Sequence, residues 1–188
     1  MKINLRHIKQ ADMQSLMSWA RTREEIIQWS GPWNFTLPLD ETQLAHFFMR
    51  DVLDDDLRRM QFLAVDADSG TPVGQIGFSR IWLRTSSAHL GPVIVAPAWR
   101  DRGIASQMVS YILDIGFRQM GLHRIELVVF DFNTAAIACY EKAGFRTEGL
   151  LRDIVRVGDA YWHWKAMSIL DHEFLNMTGG QARSLDAP

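Results

Sequence analysis

Arg100, Arg102 and Gly103 stand together in "APAWRDRGIASQM", just ahead of an apolar periodic run. A helix starting there presents unpaired N–H groups and a partial positive charge. A glycine lets backbone approach a ligand closely, and arginines add charge-assisted hydrogen bonds. Such a turn suits an anion, most naturally a phosphate or pyrophosphate. By itself it reads at least as well as a solvated helix start with two surface arginines. The Gly-Lys-Ser/Thr ending of a P-loop and the Gly-x-Gly-x-x-Gly of a dinucleotide fold are both absent, which argues against a nucleotide hydrolase and a Rossmann site. Trp29 and Trp33 bracket "WSGPW"; aromatics on such a loop line a ligand cleft or form a surface lid. Cys139 is the single cysteine, so an internal disulfide and a Cys-cluster zinc site are excluded, and it reads as a small buried hydrophobe. The six histidines show no ligand spacing, and no metal is expected.

These residues need elements to hold them. A chain of 188 residues, 47% apolar, has room for one globular domain with a real core. A net charge of −2 gives no field to recruit nucleic acid or an anionic membrane. "MKINLRHIKQ" lacks the apolar centre of a signal peptide, and no apolar run reaches the length of a membrane span; a cytoplasmic location is the expectation. "INLRHI" alternates as a strand, and Gln10 to Arg21 has helical spacing. "GPWNFTLPLD" breaks the chain before a helix capped by Asp40 or Thr42 and running toward Val52. Asp54–Asp56 reads as a solvated loop. "QFLAVD" and "TPVGQIGFSRIWL" form a hairpin, followed by the strand "AHLGPVIVAP". A helix is expected over Ile104–Met120, stopped by Gly121, then the strand "HRIELVVF". Asn133 caps a short helix ended by Gly144, and two strands turn at Gly158-Asp159. The order predicts a mixed α/β fold, a mostly antiparallel sheet of about seven strands with one parallel pair joined by a crossover helix. The domain is expected over 1–177, with 178–188 a polar, flexible tail.

Two patterns then coincide. Arg100, Gly103 and Ala105 match Arg/Gln-x-x-Gly-x-Gly/Ala, and Asn133, Tyr140, Gly144 and Phe145 match an Asn, a Tyr-bearing helix and Gly-Phe. In that order, each at a strand-to-helix junction, they resemble the signatures of the GNAT-superfamily N-acetyltransferases, which use acetyl-coenzyme A (acetyl-CoA). The resemblance covers Ile3 to Leu170. "WSGPWNFTLPL" and "EGLLRD" further resemble the branch holding ribosomal-protein N-terminal and spermidine acetyltransferases.

The resemblance implies a splayed pair of strands that admits the cofactor. Val93, Ile94 and Val95 would pair with pantetheine. The turn of Arg100, Asp101, Arg102, Gly103, Ile104, Ala105 and Ser106 would hold the pyrophosphate. Pro92, which lacks a ladder donor, would help create the splay or mark a plain edge. Tyr140 stands where the family places its general acid, and Asn133 lies near the cofactor or simply caps its helix. His89 occupies the position at which relatives often carry a glutamate, and a near-neutral imidazole is a competent base; a satisfied, partly buried histidine is the other reading. Glu126 is a second candidate base, and a water chain a third. Trp29, Trp33 and His89 would meet the acceptor, a small amine or a protein N-terminus. A homodimer is expected. The competing functions are a non-catalytic acyl-CoA sensor and an interaction protein using its tryptophans.

Overall fold

The computed structural model describes residues 1–49 and 58–179. Asp54–Asp56 and the end of the third helix, as the sequence predicts it, lie outside the described residues. Eight strands are present among the described residues: β1 (Ile3–His7), β2 (Arg58–Asp66), β3 (Pro72–Trp82), β4 (Ser87–Leu90), β5 (Ile94–Val95), β6 (Arg124–Phe130), β7 (Arg146–Val157) and β8 (Ala160–Leu170). Six α-helices accompany them: α1 (Met13–Met17), α2 (Arg23–Ser30), α3 (Glu41–Phe48), α4 (Ile104–Asp114), α5 (Thr134–Lys142) and α6 (Asp171–Thr178). The sheet order is β1-β2-β3-β4-β6-β8-β7, with β5 also on β3. Of these strand pairs only β4 and β6 run parallel, joined through α4 as expected. No helix among the described residues is long and apolar enough to cross a membrane.

The count exceeds seven because "AHLGPVIVAP" divides. Pro92 cannot donate to a ladder, and the chain breaks between β4 and β5, with Gly91 at φ 143. Two helices appear that apolar spacing misses. The first is α2, whose capping box is complete: Thr22 Oγ1 accepts from Glu25 N at 3.2 Å and Glu25 Oε2 accepts from Thr22 N at 3.0 Å. The Thr-x-x-Glu signature was in the sequence. The second is α6, which runs through Thr178; 180–188 lie outside the described residues. The long helix from Ile104 turns into a π-helical segment at Ile115–Gln119. There Gly116 packs so close to the sheet that a Cβ would lie 2.7 Å from Ile125 Cδ1.

The sheet carries a core on each face. Along β2 the side chains alternate: Phe62 and Ala64 enter one core, Leu63 and Val65 the other, as the pleat dictates. The first core packs Ile104, Met108 and Ile112 of α4 against Ile76, Phe78 and Ile125. The second packs Met13, Leu16, Trp29 and Leu44 of α1–α3 on Leu63 and Val65. Each fully buried apolar side chain contributes about 1.5–3 kcal/mol. Helices clamp both faces of the central strands, so the break between β4 and β5 is held in place.

Candidate active site

The parallel pairing of β4 with β6 ends at His89 and Glu126. Beyond it, β5 stays on β3 through Gly74↔Val95 and Gln75↔Ile94, while β6 continues along β8 to Phe130. The sheet is therefore open between β5 and β6. A cleft of about 1010 Å³ occupies the opening and reaches both faces, from Ser106, Cys139 and Tyr140 on α4 and α5 to Arg80, His89 and Glu126 on the other side.

At one mouth α4 begins. Gly103 is its N-cap, at φ 71, and Asp101 is also left-handed, at φ 59. Left-handed residues on either side of Arg102 coil the chain into the kind of concave turn whose N–H groups gather an anion. A Cβ on Gly103 would meet no protein atom within 4 Å, so the backbone here faces open space. Arg100, Asp101, Gly103, Ile104, Ala105 and Ser106 all line the cleft. Arg102 does not: its guanidinium lies over the Trp99 ring, 5.1 Å from the centroid.

Val93, Ile94 and Val95 form one wall and Asn133 and Tyr140 the facing one. Asn133 caps α5, its Oδ1 accepting from Ala136 N at 3.2 Å. The Tyr140 ring is buried and packs edge-on against Phe145 at 5.6 Å. Its hydroxyl has no hydrogen-bond partner among the described residues, yet it is not sealed from the cleft. Burial raises its pKa, since an apolar surround disfavours phenolate.

On the far side, Ser79 Oγ lies 3.1 Å from His89 Nδ1 and donates to the His89 carbonyl at 3.3 Å. A Ser79 proton given to the carbonyl leaves its oxygen to accept from Nδ1–H, the tautomer in which Nε2 carries the lone pair that a base needs. Burial lowers the His89 pKa, against the opposing pull of Glu126. Glu126 is itself engaged: Arg124 Nη2 and Nε donate to its Oε2 at 3.0 and 3.2 Å. Arg124 also forks onto Glu148, with both bonds at 2.6 Å. That fork and the Ser168 hydroxyl push the Glu148 pKa down to about 2.

Trp33 is the one of the two tryptophans on the loop; it is 70% exposed and packs edge-on against Trp164. Trp29 instead sits in the last turn of α2, buried. It starts a relay that periodicity and motif spacing do not reveal. Trp29 Nε1 donates to Gln75 Oε1 at 2.9 Å, Gln75 Nε2 to Gln61 Oε1 at 2.7 Å, and Gln61 Nε2 to the carbonyls of Phe78 at 2.9 Å and Gly91 at 3.3 Å. The relay ties α2 to the strand break. Two glutamines inside the apolar runs "MQFLAV" and "VGQIGF" were the trace in the sequence. No group of histidine, cysteine and carboxylate side chains that could hold a metal occurs among the described residues.

Residues 13–145 match the acetyltransferase (GNAT) family. That span is most of the chain, and the protein belongs to this family: it is an N-acetyltransferase, and acetyl-CoA is the family's acyl donor. The spermidine N(1)-acetyltransferase of Vibrio cholerae is 27% identical over 176 residues, 93% of this chain and 96% of that protein. An uncharacterized N-acetyltransferase of Bacillus subtilis, YoaA, is 38% identical over 85 residues. That match spans 45% of this chain and 48% of YoaA, about half of each. The V. cholerae spermidine N-acetyltransferase, crystallised with CoA and spermine, superposes with a TM-score of 0.78 at 26% identity, over 93% of this chain and 98% of that one.

Proposed function

We propose that this acetyltransferase modifies the primary amine of a small molecule, with Tyr140 as proton donor and His89 as proton acceptor. One observation carries the reading: a single opening in the sheet joins the anion-receptive start of α4, the unpartnered Tyr140 hydroxyl and the free edge of Val93–Val95 on one side to His89 on the other. When bound, acetyl-CoA supplies an acetyl group activated as a thioester. The residues fit it. The N–H groups of Gly103–Ser106 and the Arg100 guanidinium would receive its phosphates, and the unpaired strand edge would receive the amides of its arm.

The chain's own groups then move protons. A free alkyl amine has a pKa of about 10 and must shed a proton to attack. His89 Nε2, unprotonated because burial lowers its pKa, takes it. The ladder with β3 takes the N–H of Ala96 and, two residues back, of Ile94 opposite Gln75, so the Val93 N–H is the strand donor left to meet negative charge developing on the acyl oxygen. Tyr140 Oη holds a proton for the departing sulfur. Transfer from a raised phenol to a thiolate of pKa about 8.5 runs uphill, so the donation belongs with bond cleavage rather than after it. Glu126, held by Arg124, steadies the imidazole.

Mixing the protein with acetyl-CoA and a panel of amines tests the reading through release of free CoA. Amine-dependent release is the expected result. Tight acetyl-CoA binding with no release from any amine would leave a binding module instead.

A further inference from the structure

If the cleft acetylates an amine, as proposed, its acceptor side bears on which amine enters. The β3–β4 ladder pairs Phe78 with Leu90 and then Arg80 with His89, so Ser79 is one residue too many. A bulge of this kind re-aims side chains. Here Ser79 and Arg80 both line the cleft on the His89 side, Ser79 touching the imidazole and Arg80 close enough for its charge to act on it. Arg80 makes no hydrogen bond or ion pair among the described residues, and its charge acts on His89.

The carboxylates that line the same cleft are occupied or remote. Glu25 Oε2 accepts from the backbone N–H of Arg21 and Thr22 at 2.7 and 3.0 Å. Glu126 is bound to Arg124. Asp101 belongs to the turn before α4. A polycationic amine would thus meet an arginine beside His89, where the neighbouring carboxylate, Glu126, is already bound to Arg124. An amine that carries its own anion would meet a partner.

From this juxtaposition, a bulge that delivers an unengaged Arg80 beside His89 where the neighbouring carboxylate is bound to Arg124, we infer that the acceptor is an amino carboxylate, its carboxylate held by Arg80 while its amine faces His89. Trp33, Trp82 and Trp164 on the same walls suit an aromatic side chain. Arg80 is a specificity-determining residue, since a guanidinium fork matches carboxylate geometry where an ammonium does not.

The test uses matched pairs that differ only in the carboxylate: phenylalanine against phenethylamine, tryptophan against tryptamine, with spermidine alongside. CoA release gives kcat/KM for each. The amino acid of each pair should be preferred by about ten- to a hundredfold, the worth of a hydrogen-bonded charge pair. In Arg80→Ala that ratio should collapse toward one, and in Arg80→Lys it should fall between. Arg80 is exposed, so both variants fold, and a melting curve checks it. Turnover of the plain amines or of spermidine above the amino acids, or a ratio unmoved in Arg80→Ala, overturns the amino carboxylate while leaving acetyl transfer intact. No turnover of any member overturns both.

Discussion

Burial raises the Tyr140 phenol, so its proton stays in place through the neutral range. Tyr140→Phe keeps the ring against Phe145 and removes only the O–H. Turnover should fall by about a hundred- to ten-thousandfold, the usual contribution of a general acid, while calorimetry with CoA returns nearly the wild-type affinity. Wild-type turnover would reduce Tyr140 to a packing role. His89 has a pKa lowered by burial, and this fixes where its titration shows. A base must be unprotonated, so kcat/KM should rise with pH along an acidic limb whose midpoint lies below the ordinary value of about 6.5. His89→Gln should abolish that limb. Its survival at the same pH would transfer the role to Glu126 or to water.

The turn before α4 and the end of the same helical run offer a comparison between elements. Gly103 and Gly121 share a left-handed backbone, φ 71 and φ 68, and a Cβ at either would meet nothing within 4 Å. Valine is β-branched and unsuited to that region, so each substitution costs on the order of 1–2 kcal/mol in the fold. Only Gly103 lines the cleft. Gly103→Val and Gly121→Val should therefore lose similar amounts in a melting experiment, while only the first loses affinity for acetyl-CoA. Equal affinities in the two would mean that the start of α4 binds no phosphate.

For the whole molecule, an ionic junction links the three outer strands of the sheet. Arg124 of β6 forks onto Glu148 of β7, and Ser168 of β8 donates to the same carboxylate at 2.7 Å. The Glu148 pKa is depressed to about 2. A depressed carboxylate stabilises the fold above its unfolded pKa, and that contribution is lost as pH falls through the window down to the folded value. Urea unfolding between about pH 4.5 and pH 2 should show a steeper loss of stability in the wild type than in Glu148→Gln. Because Glu148 is partly exposed, salt should narrow the difference. Identical slopes would show that the junction adds nothing to stability.

The sequence by itself determined what depends on neighbours along the chain. Asp40 and Asn133 cap their helices where a short polar side chain precedes a periodic run. Gly121, Gly144 and Gly158 turn left-handed where the pattern stops. Both family signatures, Arg100 to Ala105 and Asn133 to Phe145, fall on the strand-to-helix junctions that the sequence pattern predicts. The tertiary structure alone decided what depends on partners. It put β5 on β3 and away from β6, which makes the opening. It inserted Ser79 into the β3–β4 ladder, which turns Arg80 toward His89. It moved Trp29 off the loop and onto Gln75, 46 residues away, and turned Arg102 onto Trp99. The physical reason is the range of the forces involved. A cap or a turn is settled by dihedral preferences and hydrogen bonds within a few residues. A register, a bulge or a buried amide relay is settled by which strand happens to lie alongside, and side-chain periodicity is the same for every partner.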